Sequence, residues 1–430
     1  MTLTGRAGAL AAAGALMIAV FGTGTALLAV NALLATAIAA DLLLAASIAR
    51  LSLNRAADST IHLGQAGLVT LTVANSGSRA LRGTIRDGWR PSAGAAPGRA
   101  SLTLRPGGRT RLTTTLTPQR RGDLSAGPVT VRSLGPLGLA GRQRSVPAPC
   151  TVRVLPPFLS RKHLPAKLAR LRELDGQHRS MLRGQGTEFD SLREYVLGDD
   201  VRSIDWRSTA RRGDVLVRTW RPERDRRIVI VLDTGRTSAG RVGGLPRLDV
   251  SMDAALLLAA LAVRAGDRVD LIAVDRRVRT RVAGAGRGNV LGAFTSELAL
   301  LEPDLVEPDI GLMIGAVLGT VRQRSLIVLL TDLNPAAIEQ GLLPRVRLLT
   351  SRHEVLLAAV ADPRLAEMAA DRTDAAAVYG AAAAVSAQTA RTRAAALLRR
   401  HGVEVLDEPP DRIAPALADA YLSLKSAGRL

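Results

Sequence analysis

The chain has 430 residues and a formal net charge of +20, from 58 Lys and Arg against 38 Asp and Glu. Its one cysteine, Cys150, excludes internal disulfides and any CxxC metal or redox site, and it fits a reducing compartment. Hydrophobic residues make up 47% and aromatics only 2%, so the cores must be built from Ala, Leu and Val; the positive charge, nearly all Arg, lacks the interleaved aromatics that stack bases, which weighs against a nucleic-acid binder.

The first element is apolar. From Ala7 to Ala49 the sequence is almost free of charge, enough for two membrane spans of about 20 residues each. Gly22-Thr23-Gly24-Thr25 reads as the turn between spans at roughly Ala7–Phe21 and Ala26–Ile48. Arg6 precedes the first span, and Arg50 and Arg55 follow the second. Both ends, and the body beyond them, are therefore expected in the cytoplasm, with residues 1–50 forming a two-helix membrane hairpin. Asp41, costly in hydrocarbon, is expected near the membrane interface. A cleaved signal peptide ending at Ala35-Thr36-Ala37 is the rival reading, but signal h-regions run to only about 15 residues.

Residues 51–156 change to alternating, β-branched segments such as Leu68-Val69-Thr70-Leu71-Thr72-Val73, separated by turn signals such as Pro106-Gly107-Gly108. They predict a β-sandwich-like domain. Residues 157–225 read as a linker and a signature segment. In the signature, Thr187 with Asp190 three residues on resembles a capping box opening a helix that Gly198 would end, and Asp200 would start the next turn. Tyr195 and Trp206 would be anchors. The competing reading gathers Glu188, Asp190, Asp199, Asp200 and Asp205 into a metal-dependent hydrolase or nuclease site, although no His lies in that run.

Residues 226–430 alternate strands and helices. Ile228–Leu232, Val269–Val274, Leu326–Leu330, Glu354–Val360 and Val403–Leu406 read as strands, and Asp249 as the N-cap of a helix reaching Arg264. This predicts an α/β doubly wound domain whose site lies beyond the carboxyl ends of the strands. Asp233 and Asp332 each follow a predicted central strand, with Thr237 in the first loop. The five His residues have no G-x-S-x-G partner and no phosphate loop occurs.

The motif Glu188-Phe189-Asp190-Ser191-Leu192-Arg193-Glu194-Tyr195, then Gly198-Asp199-Asp200, Ile204-Asp205-Trp206 and Ala210-Arg211, resembles the bacterial family called domain of unknown function 58. The resemblance implies a von Willebrand factor A-like domain at residues 226–430, with an adhesion-type Mg²⁺ site to which Asp233, Thr237 and Asp332 would contribute. That site would be degenerate here, because Gly235 replaces a Ser ligand and Pro308 falls where a separate Thr would stand. Arg236 is then the expected substitute counter-charge. The resemblance also implies a non-enzymatic adaptor for a MoxR-type AAA+ ATPase, held multi-pass in the bacterial plasma (inner) membrane with its body in the cytoplasm.

Overall fold

The computed structural model describes residues 1–181, 188–197, 199–221, 226–284 and 289–430, in two compact units, Met1–Pro157 and Phe158–Leu430.

The first unit opens with strand β1 (Thr2–Leu3), helix α1 (Gly5–Phe21) and helix α2 (Gly24–Leu44). Gly22, at φ 58, ends α1 in the left-handed conformation that glycine adopts without penalty. Thr23 then caps α2 through the amide of Ala26. The helices approach closely where Gly14 faces Val30; a Cβ on Gly14 would stand 2.6 Å from Val30 Cγ1. Gly24–Arg50 is the one described helical stretch long and apolar enough to cross a bilayer. At 17 residues α1 falls short of that length, so the expected multi-pass anchoring has no support from helix length.

The strands that follow in the first unit are β2 (Leu51–Ala57), β3 (Thr60–His62), β4 (Gly67–Asn75), β5 (Leu81–Arg86), β6 (Ala100–Leu104), β7 (Arg109–Leu116), β8 (Gly122–Ser125), β9 (Val129–Leu134), β10 (Ala140–Val146) and β11 (Thr151–Leu155). They form sheets ordered β1-β10-β9-β5-β6, β2-β4-β7 and β3-β11-β8, antiparallel throughout except for β3 with β11. Residues alternate across β4, as strand geometry requires. Leu71 and Val73 pack with Leu81, Ile85, Val129 and Val131, while Val69 packs with Leu116, Val152 and Val154. Each of these two cores is shared by strands of different sheets, in a sheet-rich unit.

Both ends of the helical pair return to one turn of this unit. Thr2 and Leu3 pair with Gly141 and Ala140. Asp41, in the last turn of α2, is 0% exposed and accepts the amides of Leu137 (2.8 Å), Leu139 (2.7 Å) and Ala140 (2.8 Å). It docks α2 onto the β9–β10 turn, where three amide donors replace its water. Arg55, read as a charge flanking the membrane, is also buried: its guanidinium pairs with Asp87 at 2.6 Å beneath the ring of Trp89.

In the second unit, helix α3 (Leu164–Met181) occupies part of the expected linker. Leu171 is buried in the main core and Leu164, Leu168 and Leu174 lie against it, at helical spacing among Arg and Glu neighbours that mask the pattern. The capping-box helix is not formed. Strand β12 (Glu188–Glu194) stands there and pairs antiparallel with β13 (Leu216–Arg221), with helix α4 (Trp206–Arg212) between them.

The main sheet contains β14 (Arg227–Asp233), then, beyond the short pair β15 (Arg241–Val242) and β16 (Leu245–Pro246), β17 (Arg268–Val274), β18 (Val278–Val282), β19 (Leu326–Leu330), β20 (Glu354–Val360) and β21 (Val403–Glu408). Its order is β18-β17-β14-β19-β20-β21, parallel except for β18 against β17. Successive residues of β14 point to opposite faces. Ile228, Ile230 and Leu232 meet helices α5 (Arg247–Arg264), α6 (Val290–Leu300) and the C-terminal helix Ile413–Ser426. Val229 and Val231 meet helix Ile310–Leu318 and the long helix Ala375–Arg400. Helix α5 starts after Pro246 rather than at Asp249, which lies in its first turn.

Replacing Asp41 by Ala should lower the stability of the first unit by about 3 kcal/mol, because it strands buried amides that a carboxylate had satisfied. Asn31→Ala, on the exposed side of α2, should change it by less than about 0.5 kcal/mol. Thermal unfolding in detergent measures both.

Candidate functional site

The carboxyl ends of β14 and β19 bring the two acids that follow the predicted central strands to one sheet edge. Asp233 closes β14 and is 1% exposed. Its Oδ1 accepts the amide of Gly235 at 2.7 Å, and its Oδ2 the hydroxyl of Thr331 at 2.6 Å. Thr331 is the immediate neighbour of Asp332, so the two carboxylates are drawn together. Like charges placed so would repel unless a cation intervened.

The cations are arginines. Asp332 Oδ1 pairs with Arg391 Nη1 at 2.6 Å, and Oδ2 with Arg247 Nη1 at 3.2 Å; the Asp332 side chain is 11% exposed. Arg391 extends from the helix Ala375–Arg400 and also clamps Asp407 of β21, at 2.7 Å and 3.2 Å. Arg247 Nη1 additionally donates to the Thr237 carbonyl at 3.1 Å. Thr237 therefore joins the site through its backbone. Asp275, after β17, completes the edge with Thr234 Oγ1 at 3.1 Å and Arg279 Nη1 at 3.0 Å. The counter-charge expected from Arg236 is not used here, because Arg236 turns to the surface and pairs with Glu307 at 2.6 Å.

Burial opposes the charge on Arg391, but its hydrogen bonds to Asp407 and the fields of Asp332 and Asp407 outweigh that, and its pKa is raised. Burial pushes the Asp233 carboxyl up. The hydrogen bonds from Thr331 and Gly235 oppose this, while Asp332 and Asp275 add to it.

This donor set does not fit Mg²⁺. Both oxygens of Asp233 and both of Asp332 already accept hydrogen bonds or ion pairs, and the guanidiniums of Arg391 and Arg247 set positive charge against the carboxylate a divalent ion would share. Among the described residues no group of three or more His, Cys, Asp or Glu is placed to hold a metal. Gly235 leaves no room for the missing ligand either: a Cβ there would lie 2.9 Å from Pro308 Cδ and 2.9 Å from the Val306 carbonyl. Sequence reasoning misses Arg247, Thr331, Arg391 and Asp407. An Arg in an Ala-rich helix and an Asp inside a strand carry no local signal.

In the signature segment Asp199, Asp200 and Asp205 serve as caps and ion-pair partners. Asp199 holds Arg193 through two bonds, at 2.7 Å and 2.5 Å, and accepts the Val196 amide; the hydrogen bond to Asp199 raises the Arg193 pKa. Asp200 caps the turn Val201–Ser203 through the Arg202 amide. Asp205 caps α4 through the amides of Arg207 and Ser208 and pairs with Arg218 at 2.9 Å. The Ser208 amide first, then Arg218, holds its carboxyl below the usual range. Tyr195 is half-buried, and Glu194 and Arg211 are exposed. Gly198 and Thr187 lie outside the described residues, as do the side chains of Glu188 and Asp190. Trp206 is no anchor: it is 66% exposed, and Leu197, at 96%, Val196 and Val201 are exposed as well.

Asp332→Ala should cost about 2–3 kcal/mol in urea unfolding, since it leaves Arg247 and one end of Arg391 without a counter-ion in a largely dry site. Asp233→Asn should behave in the opposite way. A carboxyl whose folded pKa is raised contributes stability at low pH that is lost as pH rises through that pKa. The Asn variant should therefore melt above the wild type at pH 7–8, with the gap closing as pH falls below about 4.

Residues 191–403 match the family described as "Protein of unknown function DUF58". Relatives include the uncharacterized proteins Rv1480 of Mycobacterium tuberculosis and Mb1516 of Mycobacterium bovis, each 29% identical over 198 residues, a match covering 45% of this chain and 61% of theirs. Among solved structures, the CARDB domain of a Pyrococcus furiosus protein, crystallised with di-metal ions, covers 24% of this chain and 91% of its own at 15% identity and a TM-score of 0.19. A cohesin module of a Clostridium perfringens glycoside hydrolase covers 24% and 96% at 13% identity and a TM-score of 0.18. Likenesses this slight carry no fold assignment. Through residues 191–403, the chain belongs to the DUF58 family of proteins of unknown function.

Proposed function

We propose that the chain is a membrane-anchored, non-enzymatic adaptor, whose A-like second unit docks a protein partner independently of metal. The observation that carries the reading is the signature segment, the most family-specific stretch of the sequence. It presents Val196, Leu197, Val201 and Trp206 to solvent while Asp199, Asp200 and Asp205 are occupied in capping and pairing. Exposed apolar residues held on a capped frame are the chemistry of a docking surface. The acids at the sheet edge, saturated by arginine and hydroxyl donors, supply neither a metal ligand nor a free base. At the N-terminal end, α2 anchors the chain in the bilayer with α1 packed along it as a hairpin, and the strands of the first unit follow directly. The partner class implied by the family resemblance is a MoxR-type AAA+ ATPase in the cytoplasm. The rival reading, a metal-dependent hydrolase using the acids of residues 188–205, would need acids released from their caps.

Affinity capture of the tagged full chain from detergent-solubilised membranes tests this. An AAA+ ATPase should be recovered equally with and without chelator, and recovery should fall by about tenfold or more in Leu197→Asp or Trp206→Ala. Recovery that depends on Mg²⁺, or that both variants leave untouched, contradicts the reading.

A further inference from the structure

Where α2 leaves the apolar stretch, its last turn and the edge of the sandwich enclose an open pocket of about 290 Å³. Three arginines line it, Arg50, Arg79 and Arg142, together with Leu43, Ala45 and Asn75, and no acid among the described residues contributes to its wall. Arg79 Nη1 donates to the Leu43 carbonyl at 2.5 Å and Arg142 Nε to the Leu42 carbonyl at 3.1 Å. These bonds place both guanidiniums at the negative end of the helix dipole and fix their direction. Each guanidinium has five N–H donors, and one of each is engaged in this way. The nearby buried acid, Asp41, turns to three backbone amides of the β9–β10 turn and does not line the pocket. The pocket therefore concentrates positive charge that no described residue of its wall balances.

Its height gives that charge a meaning. The 21 residues of α2 rise about 31 Å, the thickness of a bilayer's hydrocarbon core. If the helix spans, its last turn emerges at the level of the lipid phosphates. Exposed Leu43 and Leu44 would stand in the acyl boundary, and Arg50, Arg79 and Arg142 just beyond it. Guanidinium forks bind phosphate oxygens in pairs. We propose that this pocket is a binding site for the headgroup of an anionic phospholipid, with the three arginines as phosphate ligands and the apolar rim receiving the start of the acyl chains. The proposal rests on the membrane-anchored reading, which supplies the lipid.

The test uses the purified full chain in non-ionic detergent, with native mass spectrometry and thermal shift as readouts. The probes are short-chain phosphatidylglycerol, phosphatidylcholine of the same chain length, and soluble glycerol phosphate. Phosphatidylglycerol should be retained and raise the melting temperature, while the other two should do neither. Each Arg→Gln change should weaken retention about fivefold, the factor expected for one cation near an anionic lipid surface. Arg50→Gln is the cleanest variant, because the Arg50 side chain caps no described carbonyl; Arg50→Lys should keep part of the effect. Equal retention of both lipids, an equal effect of glycerol phosphate, or indifference to Arg50→Gln overturns the site. Membrane fractionation of the same protein separates this from a failure of anchoring: a chain that stays in the membrane pellet but shows no headgroup preference keeps the anchor and loses only the pocket.

Discussion

A carboxylate withdrawn from water must be met by a cation or by several hydrogen-bond donors, because its solvation loss is otherwise prohibitive. Much of this protein's architecture answers that demand from within the chain. Asp41 takes three amides of the β9–β10 turn and so fixes how α2 leaves the sandwich. Asp87 takes Arg55, Trp89 and Thr114 and joins strands of that sandwich. In the second unit Asp270, fully buried in β17, takes Arg227 and the amide of Gly284. Asp267 takes Lys425 and Tyr421 from the C-terminal helix, against a burial that raises its pKa.

The same demand shapes the sheet edge where an α/β fold usually places its ligand. Two acids there would be a natural cation site. Arg391 and Arg247 reach Asp332 from two separate helices, and Thr331 and Gly235 satisfy Asp233. A guanidinium supplied by the chain itself is always present and cannot be chelated away, so the edge becomes a fixed joint between the sheet and its helices. Side chains not closed in this way include the exposed Val196, Leu197, Val201 and Trp206 of the signature and the arginines at the end of α2.

What is legible in the sequence depends on how local each cause is. Leu326–Leu330 and Glu354–Val360 are read to the residue, because a short apolar run flanked by polar residues is the pattern of a strand buried on both faces. The caps at Asp200 and Asp205 are equally local. The helix at Leu164–Met181 is hidden because four leucines carry its packing face while Arg and Glu set its average character. Thr187 and Asp190 have the spacing of a capping box, but pairing of β12 with β13 overrides it. The arginine closure is out of reach of local reasoning, since Arg391 meets Asp332 across 59 residues of chain. Arg236, close in sequence to Asp233, is the local choice and faces solvent.

At the sheet edge Asp332 is met by two of the chain's own arginines. Calorimetric titration of the purified full chain with Mg²⁺ and Mn²⁺ tests that closure most directly, with Asp233→Ala as the reference protein. No saturable heat is expected in the wild type, and no difference between the two proteins. Saturable binding near one ion per chain that disappears in Asp233→Ala would contradict it.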